Sequence, residues 1–251
     1  MTFALITGAT AGIGAEFARQ LATAGHHLVL VARDAERLEG QAVALRAEFG
    51  VDVEVLPADL HTAAGLDAVH ARVARMTDPV DVLVNNAGYG ISDSFDRNPL
   101  SEEERLLHLL VAVPLRLSHA ALGQMVPRRS GTIINVSSVA AFSPRGTYGA
   151  AKAWVLSFSR WANVRYRRDG ITVTAVAPGF VRTEFHERMK VRTDTIPAVL
   201  WLEAPRVVRL ALRDVARGKA VSVPTVRYKF VVAVSRIAPA RLAAMGGFRN
   251  R

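Results

Sequence analysis

The sequence predicts an α/β fold, a single doubly wound domain built on a parallel sheet. Three observations carry that prediction. Short runs rich in Val, Ile and Leu alternate with longer helical patterns. The short runs are almost continuously apolar, as strands covered on both faces must be. No Pro/Gly/Ser-rich linker and no repeat divides the 251 residues, of which 50% are hydrophobic, enough for one large core.

Seven segments read as strands: Phe3–Thr7, His27–Ala32, Val51–Pro57, Val80–Asn86, Gly131–Ser137, Ile171–Ala177 and Ala220–Pro224. Four helices stand between them. Ile13–Ala24 places Ile13, Phe17, Ala18 and Leu21 on one face. Ser101–Met125 opens on a serine with a glutamate three residues on, a capping-box pattern. Thr147–Arg168 and Pro205–Arg217 follow the same logic. Phe180–Ala204 has no clear period and follows the C-terminal end of a strand, where such folds bind ligands. It is expected to form a substrate loop, with an ordinary surface loop as the alternative.

Composition narrows the chemistry. The chain has no cysteine, which excludes disulfides, thiol catalysis and cysteine metal sites. Its seven histidines show no metal spacing, so no metal is assigned. MTFALITG reads as a strand entering a turn rather than a leader, and no apolar run approaches the roughly 18 residues of a membrane span, so a cytoplasmic protein is expected. The net charge of +10 is uneven: residues 1–181 hold 17 Lys+Arg and 17 Asp+Glu, residues 182–251 hold 15 and 5. Such a tail attracts anionic partners or is simply solvated surface. It lacks the aromatic interleaving of a nucleic-acid module, and no nucleic acid is expected as partner.

The chemistry-bearing residues cluster at strand ends. TGATAGIG follows the first strand and opens a helix. Its glycines permit a tight turn and close approach of a pyrophosphate to the helix N-terminus, so Thr7, Gly8, Thr10, Ala11, Gly12, Ile13 and Gly14 form a candidate phosphate cradle. The second strand ends VARD. Ala32 stands where an acid would hold the ribose of NAD, and Arg33 follows with a guanidinium suited to a 2′-phosphate; NADP(H) is therefore expected over NAD(H), with the nearby Asp34 acting against it. Asp59-Leu60 and Asn85-Asn86-Ala87-Gly88 end the third and fourth strands on the same side. The small Ala87-Gly88 pair leaves room for a ribose or adenine.

TGATAGIG, NNAG at 85–88, Ser138 after the fifth strand, YGAAK at 148–152 and PGFVRT at 178–183 together resemble the short-chain dehydrogenase/reductase family. The resemblance covers about residues 1–185 and fades from about Glu184. It implies a Rossmann-like fold of seven parallel strands and hydride transfer between a nicotinamide and a carbonyl or alcohol. Tyr148 is then the acid/base and Lys152, one turn along, lowers the tyrosine's pKa and holds the nicotinamide ribose. Ser138 bonds the substrate oxygen. Pro178 and Gly179 turn the chain beside the nicotinamide, and Val181 and Thr183 reach its carboxamide.

Two departures accompany the resemblance. Leu110 stands where the family usually has an asparagine that completes a water-mediated proton relay, and His108, two positions away, faces elsewhere. The Ser138–Tyr148 interval is short, which requires a tight Phe142–Gly146 loop. A non-catalytic dinucleotide-binding sensor or scaffold is therefore the competing function.

The substrate is expected to be a hydrophobic ketone or a 3-oxoacyl compound. Phe180, Phe185, Met189, Ile196, Val199, Leu200, Trp201 and Leu202 supply apolar bulk, while Arg182, Arg188, Lys190 and Arg192 suit a phosphate; the aromatics suit a subunit interface equally. A homo-oligomer is expected. Within the basic C-terminal segment, about 225–251, Tyr228–Ile237 reads as a short amphipathic helix that docks on the body or a subunit by default, with an anionic membrane as the other destination.

Overall fold

The computed structural model describes residues 2–91, 95–184 and 197–237. Its centre is a parallel sheet of seven strands: β1 (Phe3–Thr7), β2 (His27–Ala32), β3 (Val53–Pro57), β4 (Val80–Asn85), β5 (Gly131–Val136), β6 (Ile171–Val176) and β7 (Val221–Ser222). The order is β3-β2-β1-β4-β5-β6-β7, so the sheet winds outward from β1 in one direction and from β4 in the other. A crevice opens beyond the C-terminal ends of β1 and β4, at that switch point.

Strand side chains alternate between faces, and each face has its own cover. Ala4 and Ile6 of β1 point to a layer with Phe17 of α1 (Gly12–Thr23), Leu38 of α2 (Ala35–Phe49) and Val208 of α7 (Ala204–Ala216). Leu5 points the other way, to Val69 of α3 (Ala63–Ala74) and Leu117 of α5 (Val113–Arg128), a layer that α6 (Gly146–Tyr166) joins through Ala162. α2 and α3 are not among the four helices expected from the sequence, although their caps are visible in it. Asp34 accepts the Arg37 N–H and Gly50 closes α2 in the left-handed region; Thr62 accepts the Gly65 N–H at the start of α3.

The long helix differs from expectation in two ways. α4 (Leu100–Leu107) is capped by Pro99 and not by Ser101, which lies inside the first turn; the Pro99 carbonyl accepts the Glu102 N–H, so the backbone supplies the cap. A π-helical segment, His108–Ala112, then links α4 to α5 without a break. The resulting helix, Leu100–Arg128, is long and apolar enough to cross a membrane by length and composition, contrary to the sequence reading. Its apolar side packs on the sheet through Leu109, Val113, Leu117, Ala121 and Met125.

α8 (Val226–Ile237) docks on the body through Tyr228 and Val232, as the default reading held, while Val226, Phe230 and Val234 face outward. The remainder of the basic segment, 238–251, lies outside the described residues.

A buried polar chain crosses the middle of the sheet. Asn85 Nδ2 donates to Asn135 Oδ1 at 2.8 Å and to Ser118 Oγ at 3.2 Å, and Asn135 Nδ2 donates to Ser159 Oγ at 3.0 Å. It ties β4, β5, α5 and α6 at one level. Asn135→Ala breaks two of these bonds where water cannot replace them, and denaturant unfolding should show a loss of about 2–3 kcal/mol.

Candidate active site

The glycine turn after β1 is held against the end of β4 by side-chain hydrogen bonds. Thr7 Oγ1 accepts the backbone N–H groups of Asn86 and Ala87 at 3.0 and 3.1 Å. Asn86 Nδ2 donates back to the carbonyls of Thr7 and Gly8 at 2.9 and 3.1 Å. The Asn86 amide therefore shapes the turn. Gly8 and Gly12 sit at positive φ, 67° and 56°. A Cβ on Gly14 would overlap the Gly8 carbonyl oxygen.

The cradle fits a pyrophosphate. Ala11 caps α1 without a side-chain hydrogen bond, and no acid stands in its first turn. Among the described residues no side-chain hydrogen bond caps this end of α1, and the helix dipole favours an anion. Thr10 and Thr183 border the cradle: the Thr10 carbonyl accepts from Arg37, and a Cβ on Gly12 would lie 2.8 Å from Thr183 Cγ2. Arg37 also forms a two-pronged pair with Glu184, at 2.8 and 3.3 Å.

Arg33 stands exposed just past β2, close enough for its charge to help hold down the His61 imidazole, whose pKa is lowered chiefly by burial and then by Arg105. Asp34 is turned to the N-terminus of α2. Asp59 Oδ1 accepts the His61 N–H at 3.0 Å, and the Leu60 side chain is buried in the core. Asn85 belongs to the polar chain through the sheet, so its side chain faces inward. Ala87 and Gly88 follow, with Leu110 Cδ2 lying 2.9 Å from where a Gly88 Cβ would be.

Beyond β5 the two serines separate. Ser137 is buried and donates to the Lys152 carbonyl at 2.8 Å. Ser138 accepts the Ala140 N–H at the start of a 3₁₀ turn, Val139–Phe142, and hydrogen-bonds the Tyr148 phenol. The short interval to Tyr148 is met by that turn and by Gly146, which enters α6 at φ 57°. Lys152, 5% exposed, donates from Nζ to the Val136 carbonyl at 2.8 Å and lies 5.7 Å from the centre of the Tyr148 ring.

Electrostatics here differ from the expectation that Lys152 lowers the Tyr148 pKa. Burial pushes the Tyr148 phenol up to about 12, with the Ser138 hydrogen bond opposing it, and lowers the Lys152 ammonium to about 8. The physical reason is a dry wall. Leu106, Leu110 and Ala151 form a buried cluster against Tyr148, and Leu110, 1% exposed, occupies the position expected of a polar relay residue. His108 instead stacks with His61, ring centres 5.9 Å apart.

The Pro178–Gly179 turn lies beside this group, its Pro178 carbonyl accepting the Val139 N–H at 3.0 Å. Val181 bridges Leu202 as a parallel pair, and Thr183 Oγ1 contacts the Val181 carbonyl at 3.5 Å. Arg182 sits over the Trp201 ring and pairs with Glu203 at 3.3 Å. Phe185, Arg188, Met189, Lys190, Arg192 and Ile196 lie outside the described residues. Sequence reasoning missed Tyr228, whose hydroxyl bonds Phe180 N and Leu200 O; no local pattern marks so distant a contact.

The family model described as short chain dehydrogenase matches residues 2–193. Fatty acyl-CoA reductase of Acinetobacter baylyi is 35% identical over 187 residues, 72% of this chain; the match spans only 62% of that protein's length. A short-chain dehydrogenase from Sphingobium yanoikuyae, solved in complex with NADPH, superposes with TM-score 0.86 at 37% identity, covering 100% of this chain and 97% of its own. The bulky-bulky ketone specific alcohol dehydrogenase from Comamonas testosteroni gives 0.81 at 33% identity, covering 100% and 96%. With its switch-point glycine turn, its seven parallel strands and these relatives, the chain belongs to the short-chain dehydrogenase/reductase family of NAD(P)-dependent oxidoreductases.

Proposed function

We propose that the protein reduces a bulky apolar ketone to an alcohol, with NADPH as the preferred reductant. The observation that carries this reading is the hydrogen-bonded Ser138–Tyr148 pair with the buried Lys152 ammonium one helical turn along. The reduced nicotinamide, when bound, supplies the hydride to the carbonyl carbon. Ser138 hydrogen-bonds the carbonyl oxygen, and Tyr148 transfers its phenolic proton to that oxygen as negative charge builds there. Lys152, fixed by the Val136 carbonyl, stabilises the phenolate left behind. In the oxidative direction the same phenolate takes the proton back.

The residues suited to hold the dinucleotide are the cradle from Thr7 to Gly14, Arg33, Asp59 and Leu60, Ala87 and Gly88, Lys152, and the segment from Pro178 through Val181 to Thr183. Preference for a 2′-phosphate is supported by Arg33 at the end of β2 and by Asp34, whose carboxylate is engaged as the cap of α2. That a relative was solved in complex with NADPH supports use of this cofactor. For the substrate, Phe180, Leu200 and Val181 form an apolar wall with the Trp201 ring beside Phe180. Arg182 is already paired, which favours a ketone without phosphate over a thioester, and a bulky ketone is what the Comamonas relative is named for. We place the subunit contact on the exposed side of α6, at Trp161 and Val164. Leu110 gives the non-catalytic sensor its one specific support, since this buried leucine packs in the cluster against Tyr148 at the position expected to carry a polar relay residue.

Three measurements test the reading. NADPH oxidation against a panel of bulky ketones should proceed, and Tyr148→Phe should lower kcat by about 10²–10⁴-fold; turnover untouched by that change, or binding of NADPH with no turnover on any ketone, rejects it. The kcat/KM for the reduced cofactor, which reports the free enzyme, should fall above about pH 8, where Lys152 loses the charge that a phenolate needs while Tyr148 stays protonated. Leu110→Asn should move that limb upward, because a polar neighbour eases the burial that lowers Lys152. Arg33→Ala should weaken NADPH binding by roughly ten- to a hundredfold, the worth of a charge-assisted bond of about 1.5–3 kcal/mol, and leave NADH nearly unchanged in a titration of both.

A further inference from the structure

We propose that Tyr228, on the C-terminal helix α8, is a positioning residue for the nicotinamide half of the cofactor. The inference rests on the proposed role of the Pro178–Gly179 turn.

The hydroxyl end of its ring lies so close to Gly179 that a Cβ there would fall 1.9 Å from Tyr228 Cζ. Its hydroxyl accepts the Phe180 N–H at 3.1 Å and donates to the Leu200 carbonyl at 2.7 Å. One phenol thus grips both stems of the segment that leaves and returns beside the turn. The stems are also joined directly: Leu202 N–H donates to the Phe180 carbonyl at 2.8 Å and Arg182 N–H to the Leu202 carbonyl at 2.9 Å. Tyr228 is 2% exposed, and burial raises its phenol, so it stays a donor to Leu200 throughout the neutral range.

Packing alone does not explain the residue chosen. Phenylalanine would fill the same space in a cluster that is otherwise apolar, with Val181, Leu202 and Val207 around it. The hydroxyl is justified by two backbone groups that a pure hydrocarbon would leave without it. The grip reaches the chemistry by a short path. Gly179 follows Pro178, whose carbonyl binds the Val139 N–H, and Val139 follows Ser138. The same cluster includes Ile13 of the glycine turn. α8 therefore acts as a brace behind the nicotinamide side of the crevice; among the described residues no hydrogen bond or ion pair joins it to Arg33, Asp59 or Leu60 on the adenosine side.

That asymmetry gives the test. Tyr228→Phe keeps the ring and removes both hydrogen bonds. Calorimetric titration should show NADPH binding weakened about tenfold, the scale of two lost hydrogen bonds, with the affinity for adenosine 2′,5′-bisphosphate unchanged. A residue that only stabilised the fold would lower Tm and leave the ratio of the two affinities as it was; that result, or parallel weakening of both ligands, overturns the proposal. If wild-type protein binds neither ligand, the cofactor reading itself fails and this inference with it. Should the variant not fold, a fluorinated tyrosine placed at 228 keeps the ring and ionises at lower pH. NADPH affinity should then fall as its phenol ionises and ceases to donate to Leu200, with the bisphosphate unaffected; an unchanged ratio overturns the proposal equally.

Discussion

The bracket between Thr7 and Asn86 is the constraint on which the rest of the site depends. Two irregular turns, one after β1 and one after β4, must meet at the switch point with their backbones exposed to a ligand. A turn at such a place has few neighbours to hold it. Here the hydroxyl of one turn accepts two N–H groups of the other, and the amide of the second donates to two carbonyls of the first. Four bonds across one seam make the two turns a single rigid lip. Gly14 can then approach Gly8 more closely than any side chain would allow, and α1 points its N-terminus along the lip.

Behind the lip the dominant influence is dehydration. Lys152 is buried with the Val136 carbonyl accepting from its Nζ, Leu106 and Leu110 pack against Tyr148, and burial shifts both pKa values in favour of the neutral forms. Linkage gives the two groups opposite signs. Between about pH 8 and 10.5 the unfolded lysine holds a proton that the folded one has lost, so stability rises with pH; between 10 and about 12 the folded tyrosine keeps a proton that the unfolded one has lost, so stability falls. The same dryness that costs the resting chain strengthens every electrostatic interaction with a substrate oxygen.

Much of this was legible in the sequence because its determinants are local. The seven strands announce themselves by continuous β-branched runs, and the glycine turn, NNAG, Ser138 and YGAAK keep fixed spacing relative to strand ends. Ser137 and Ser138 could be told apart by pattern, and the structure separates them as inner and outer hydroxyls. What pattern could not supply was competition between effects. The Tyr148–Lys152 spacing suggests a lowered tyrosine pKa, but the balance is set by Leu110 and Leu106 from another helix. Ser101 has the right residue three places on, yet Pro99 supplies the cap by backbone alone. The π segment at His108–Ala112 changes which residues share a face, and no 3.6-residue period foretells it. Tyr228 on Gly179 joins positions far apart in sequence through an element with no recognisable motif.

The strand order also governs when the site comes into being. β1 is synthesised early, yet one of its neighbours is β4, and the bracket joins residues 79 positions apart. While it emerges from the ribosome, the glycine turn has no partner until Asn86 is made, and the Pro178–Gly179 side has no brace until Tyr228 follows β7. Such long-range pairing is slow to form and leaves apolar strand edges uncovered meanwhile. The two sides of the crevice thus gain their supports at different times, the glycine turn with Asn86 and the Pro178–Gly179 turn only with Tyr228.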